Sequence, residues 1–144
     1  LIRQQLADGE VERVAEELGR PFRLEGHVVK GAGRGRALGI PTANLELPDK
    51  MMLPKVGVYA GWLEHEGRHP AVINVGYNPT FENRDVPIVE VHALDFEADL
   101  YGKVVGVEFT HHLRDERKFP DAESMMKEIR IDIEKARELL GMGR

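Results

Sequence analysis

Cysteine is absent from the 144 residues, which excludes disulfides and thiolate zinc sites and leaves oxygen and imidazole as the available metal ligands. Long apolar runs are missing too. No stretch approaches the 18 residues of a membrane span, and Leu1-Ile2-Arg3-Gln4 does not open a signal-peptide core. No membrane and no export route is indicated, and the cytoplasm is the expected compartment. Excess positive charge is also lacking. The formal net charge is −5, whereas a nucleic-acid binder carries a basic domain, so no nucleic-acid partner is expected and any phosphate site has to be local. No internal repeat, low-complexity tract or flexible linker interrupts the chain. What remains, 42% hydrophobic and 31% charged, is the composition of one globular domain.

Val11, Val14, Ala15 and Leu18 recur at helical spacing ahead of Gly19 and Pro21, so the first twenty residues read as helical. From Phe22 the texture changes. Leu24 with Val28-Val29, then Val56 to Leu63, Ala71 to Val75, Ile88 to Leu94 and Val104 to Phe109 are short β-branched and aromatic runs separated by Gly, Asn, Asp and Pro. That spacing predicts a mostly β protein, an antiparallel sandwich or barrel. After Pro120 the period returns to helical, with Ala122, Met125, Met126, Ile129, Ile133, Ala136 and Leu140 on one face and Gly141 as the stop.

Four glycines and two arginines crowd into Gly31-Ala32-Gly33-Arg34-Gly35-Arg36-Ala37-Leu38-Gly39. Such a segment can bring bare backbone N–H groups against a polyphosphate; equally, it can be a hairpin loop with solvated arginines. It is neither a Walker A loop nor the dinucleotide fingerprint. Thr42 and Asn44, two residues apart, project to the same side of an extended backbone and offer hard oxygen donors that suit Mg²⁺, or else bond only local backbone. Glu90 interrupts the apolar run Ile88-Val89-Glu90-Val91. A carboxylate there is costly unless paired, ligated or reactive, and burial would raise its pKa toward that of a general base. Alternatively it lies on a solvent face, alternating with Val89 and Val91.

His65-Glu66-Gly67-Arg68-His69 matches the H-E-x-x-H zinc-protease pattern, but Gly67 within it, Pro70 after it and the flanking strand-like runs deny it a helix. A hairpin turn accounts for it better. His111 and His112 are adjacent, so on a strand they face opposite ways and do not share a metal. Leu113-Arg114-Asp115-Glu116-Arg117-Lys118-Phe119 reads as the connection between the last strand and the last helix. It is either solvated or a platform of guanidinium planes and one ring for an aromatic ligand.

Gly31 to Gly35 followed by Leu38-Gly39-Ile40-Pro41-Thr42-Ala43-Asn44 resembles the signature of the riboflavin kinase family. The likeness continues through Gly57 to Gly61, Asn74-Val75-Gly76 with Asn78-Pro79-Thr80-Phe81, Val89-Glu90-Val91-His92, Asp99-Leu100-Tyr101-Gly102 and Leu113 to Phe119, and covers about residues 20 to 140. The resemblance implies a six-stranded antiparallel Greek-key β-barrel with a long C-terminal helix. It implies that Gly31, Gly33, Arg34, Gly35 and Arg36 cover the ATP phosphates with Tyr101 nearby, that Thr42 and Asn44 hold Mg²⁺ and phosphate, and that Glu90 activates the riboflavin 5′-hydroxyl. Flavin contacts carry over to Arg114, Arg117 and Phe119. The implied reaction gives FMN and ADP from riboflavin and ATP by direct in-line transfer.

Residues 1–21 look like the junction that follows the FMN adenylyltransferase half of bacterial FAD synthetases, and residues 22–144 like the kinase domain. With that half missing, kinase activity without adenylyltransferase activity is expected. Two other classes compete: a non-catalytic flavin- or nucleotide-binding sensor on the same barrel, and an oligonucleotide-binding barrel. Glu90 together with Thr42 and Asn44 argues against the first, and the net charge against the second.

Overall fold

The structure, a computed structural model, describes residues 2–29, 42–47, 52–79, 85–96 and 99–141. Two short helices, α1 (Ile2–Ala7) and α2 (Val11–Leu18), precede strands β1 (Phe22–Val29), β2 (Ala43–Glu46), β3 (Gly57–Glu64), β4 (Arg68–Pro79), β5 (Asp85–Ala93) and β6 (Val104–Asp115), and α3 (Ala122–Leu139) follows them. The strands close into an antiparallel barrel in the order β1-β2-β5-β4-β3-β6. β3, β4 and β5 are consecutive neighbours and β6 returns beside β3, which is the Greek-key arrangement.

Alternation decides what fills the barrel. Leu24 and Val28, Leu45, Tyr59 and Leu63, Ala71, Ile73 and Val75, Val89 and Val91, and Val105, Val107 and Phe109 point inward and form one buried cluster. Tyr59 and Phe109 meet edge-to-face with ring centroids 5.3 Å apart, a geometry the ring quadrupoles favour. Burial pushes the Tyr59 phenol well above its usual pKa. It therefore stays protonated and donates to the Lys55 carbonyl at 2.5 Å.

A second cluster sits outside the barrel, where Val58, Ala60 and Val72 of β3 and β4 meet Ala136 and Ile133 of α3. α3 begins at Asp121, whose carboxylate accepts the Ser124 N–H at 2.7 Å, an N-cap that holds this carboxyl below its ordinary pKa. Arg137 forks onto Asp95 at 2.8 and 2.9 Å and ties the helix to the turn after β5.

The structure departs from the sequence pattern in three places. The first twenty residues form two helices rather than one, because the chain turns at Gly9 with φ of +77°. Only glycine fits there: the φ is left-handed, and a Cβ would lie 3.2 Å from the Tyr59 hydroxyl oxygen. Ala43–Glu46 is a strand that no hydrophobic run announces; it is four residues long and contributes only Leu45 to the core. β6 continues to Asp115, so Leu113 and Arg114 belong to a strand and not to the connection. The H-E-x-x-H stretch spans the β3–β4 turn, with positive φ at Glu66 and Gly67, and His69 stacks on Phe96 at 3.7 Å.

Gly61 faces inward where β3 and β6 shift register. A Cβ on it would collide with the Glu108 carbonyl and crowd Ile73. Gly61→Ala is expected to lower stability by about 3 kcal/mol, the upper part of the usual overpacking range, measured by urea unfolding with an unchanged m-value.

Candidate active site

Strand register assembles a row of side chains on the outer wall. Val29 of β1 lies opposite Asn44 of β2, Asn44 opposite Glu90 of β5, Glu90 opposite Asn74 of β4, and Asn74 opposite Val58 of β3, which in turn lies opposite Arg114 of β6. Directly opposed residues share a face, with Cβ atoms about 5 Å apart. Since Val89 and Val91 point into the barrel, Glu90 points out, half-buried between two half-buried carboxamides. It thus lies on the outer face, as strand alternation allows, and not in the apolar interior.

The row begins at Val29, the last described residue before the glycine-rich segment. Gly31, Gly33, Arg34, Gly35 and Arg36 lie outside the described residues, but β1 ends at Val29, and Thr42 immediately precedes β2. Thr42 is half-buried. Tyr101, exposed, sits in the turn before β6, where the Asp99 carboxylate accepts its N–H at 3.1 Å. The same turn is laced to β1: Gly102 N–H donates to the Val28 carbonyl and Val28 N–H to the Lys103 carbonyl, each at 2.9 Å. Thr42, Asn44, Glu90 and the Tyr101 turn therefore gather around one end of β1, while Arg114, Arg117 and Phe119 lie further along the row beside α3.

There the guanidinium of Arg114 is already committed. Its Nε and Nη2 donate to the Asp132 carboxylate at 3.0 and 2.9 Å, and its Nη1 to the Asp115 carbonyl at 3.3 Å. Burial pushes the Asp132 carboxyl above the usual carboxylate range, against the pull of Arg114. Asp132 is 3% exposed and Arg114 16%, whereas Arg117, paired with Glu128 at 2.8 Å, is 57% exposed. The buried pair matters to stability and the exposed one contributes little. Both guanidinium groups flank the Phe119 ring, at 5.6 and 5.1 Å from its centroid.

Asn74, Asp132 and Glu116 are site neighbours to which the sequence analysis assigned no role, although Asn74 stands in a block of the family resemblance and Glu116 in the charged connection. Asn74 interrupts Ala71-Val72-Ile73-Asn74-Val75 just as Glu90 interrupts its own run, so the same signal marks it. Its side-chain oxygen is buried with no hydrogen-bond partner among the described residues, a situation that costs about 1–3 kcal/mol. Asp132 breaks the apolar stripe of α3 three residues after Ile129 and four before Ala136. Glu116 has no such signal; its carboxylate comes near Gly76, where a Cβ would lie 3.4 Å from it.

Chemically, the wall offers neutral oxygens and one carboxylate within a strand spacing of each other. Among the described residues no group of three or more His, Asp or Glu could hold a metal by itself. Thr42 and Asn44 suit a hard divalent cation that takes most of its ligands from phosphate and water.

Fold and site together define a closed Greek-key barrel with a row of polar side chains, Asn44, Glu90 and Asn74, on its outer wall. Comparison with known proteins narrows the class. The riboflavin kinase family model matches residues 18–140, and the chain belongs to the riboflavin kinase family. The bifunctional riboflavin kinase/FMN adenylyltransferase of Bacillus subtilis is 37% identical over 138 residues, which are 94% of this chain and 44% of that protein. The chain thus spans somewhat under half the length of this curated relative. The riboflavin kinase of Trypanosoma brucei superposes with a TM-score of 0.61 at 27% identity, covering 84% of this chain and 80% of that one. A Streptococcus pneumoniae protein described as a macrolide-efflux protein superposes with a TM-score of 0.88 at 37% identity, over 94% of this chain and 45% of that one. Among the described residues no helix is long and apolar enough to cross a membrane.

Asp132→Ala, which strands Arg114, should cost about 3 kcal/mol in chemical unfolding. The double substitution Arg114→Met with Asp132→Leu should recover most of that loss, because it removes both charges together. Flavin titration of the double variant then reports whether Arg114 also touches ligand.

Proposed function

We propose that this chain transfers the γ-phosphoryl group of ATP to the 5′-hydroxyl of riboflavin, giving FMN and ADP. The observation that carries the reading is the placement of Glu90 beside Asn44 on the outer wall, in a chain of this family. Glu90 takes the proton of the attacking hydroxyl as the new O–P bond forms. The bond from the γ-phosphorus to the bridging oxygen breaks in line, and ADP leaves. No covalent enzyme intermediate is needed, so positioning and charge stabilisation supply the catalysis. Thr42 and Asn44 hold the cation, Mg²⁺ on this reading, and it neutralises phosphate charge when bound. The backbone of Gly31, Gly33 and Gly35, with Arg34 and Arg36, covers the phosphates, and Tyr101 borders the nucleotide.

Phe119 and Arg117 provide the flat, cationic surface for the isoalloxazine ring, while Arg114 acts through Asp132 to hold that segment in place. The cytoplasm, which supplies ATP, is the compartment this reading favours. Residues 1–21 are read as the junction to an adenylyltransferase domain, and residues 22–144 as the kinase domain.

Riboflavin turnover with Mg-ATP, followed as FMN by chromatography, tests the assignment. Wild type should form FMN. Glu90→Gln should lose about 10²–10⁴-fold in kcat, the usual worth of a general base, with riboflavin still bound. Asn44→Ala should raise KM for Mg-ATP and lower kcat together. Equal loss of turnover and flavin binding in Glu90→Gln would make Glu90 structural, and unchanged kinetics in Asn44→Ala would remove its role.

A further inference from the structure

We infer that Glu128 of α3 is a positioning residue for riboflavin binding, holding the Arg117 guanidinium against the Phe119 ring so that the two meet the flavin as one preformed surface. The inference rests on the proposed role of Arg117 and Phe119 as that surface, and adds a residue from another element.

The arrangement of charges carries it. Glu128 lies one helical turn before Asp132, so the two carboxylates share a face of α3 and repel each other. Each is relieved by a cation of its own. Asp132 has taken Arg114, whose Nε and Nη2 donate to its carboxylate while Nη1 donates to the Asp115 carbonyl. Glu128 stands 3.8 Å from the Arg114 Nε but 2.8 Å from the Arg117 Nη2, which makes Arg117 its close partner. The helix that carries it is anchored at both ends, by the Asp121 cap and by the fork of Arg137 on Asp95. A fixed, mostly buried carboxylate thus reaches a cation that is itself largely in solvent.

Such a pair adds little to folding. Its effect falls on order. An arginine side chain has many rotamers, and Glu128 selects those in which the guanidinium lies 5.1 Å from the Phe119 centroid. Arg114 flanks the same ring at 5.6 Å, so two like charges crowd one phenyl group, and Glu128, near both, offsets their repulsion. A flavin that finds Arg117 already in place does not have to immobilise it on arrival, and affinity rises by the ordering cost avoided.

Riboflavin affinity by fluorescence titration is the test, for wild type, Glu128→Met, Arg117→Met and the double variant, with thermal unfolding and steady-state kinetics on each. Methionine keeps the length and helix propensity of the side chain and removes the charge. Glu128→Met should weaken riboflavin binding and raise its KM about fivefold, the upper worth of an exposed ion pair. The kcat, the KM for Mg-ATP and the unfolding temperature should stay near wild type. Arg117→Met should weaken binding at least as much. Adding Glu128→Met to it should cost nothing further, because the carboxylate then has no guanidinium to hold. An equal loss from Glu128→Met with and without Arg117 would mean that Glu128 acts on the fold and not through Arg117, which overturns the inference. So would wild-type affinity in a folded Glu128→Met protein when Arg117→Met binds weakly. Should Glu128→Met fail to fold, Glu128→Gln enters the same cycle and is judged by the same outcomes. Wild-type affinity in Arg117→Met would instead remove the flavin surface on which the inference stands.

Discussion

The register between β4 and β5 is the constraint on which the site depends. Across nine paired positions it sets Ile73 against Val91 inside the barrel and Asn74 against Glu90 outside. A slip of one residue would turn every side chain of β5 over, burying Glu90 in the apolar interior and exposing Val89 and Val91. The hydrophobic penalty of that exchange, added to the cost of a buried charge, fixes the register firmly. The same forces that fill the core therefore deliver the carboxylate to its working face. Chemistry on this wall follows from packing behind it.

The other half of the row obeys a different balance. Val58 and Val72 would be exposed on the barrel wall were α3 not laid over them, and the helix brings Asp132 down onto Arg114. Apolar contact supplies the attraction, and the buried pair supplies direction, since two bonds to one carboxylate admit few orientations. Phe119 lies against that pair through Arg114, so the segment after β6 takes its position from the helix.

Much of this was legible in sequence. Period-2 runs located the cores of five strands, and the stripe from Ala122 to Leu140 located the last helix. The motifs singled out Thr42, Asn44 and Glu90, which the strands then place around one end of β1. What stayed hidden has physical reasons. β2 carries a single core side chain, too little for periodicity to register. The extension of β6 through His111-His112-Leu113-Arg114 lacks apolar alternation because one side of it faces polar partners. Arg114 was legible as a cation but not as one already bound, because Asp132 lies 18 positions away in the chain. Asn74 stood only within a strand-like run and a block of the family resemblance, and strand pairing alone shows that it lies opposite Glu90.

The two N-terminal helices bear on how the chain is joined to anything before it. Leu6, Val11 and Val14 are almost wholly buried, Val11 belongs to the interior cluster with Tyr59 and Phe109, and the Glu12 carboxylate accepts the His112 N–H at 3.3 Å. A segment packed this way does not behave as a slack tether. A displacement of it would act as a lever on β6, the strand that also carries Arg114.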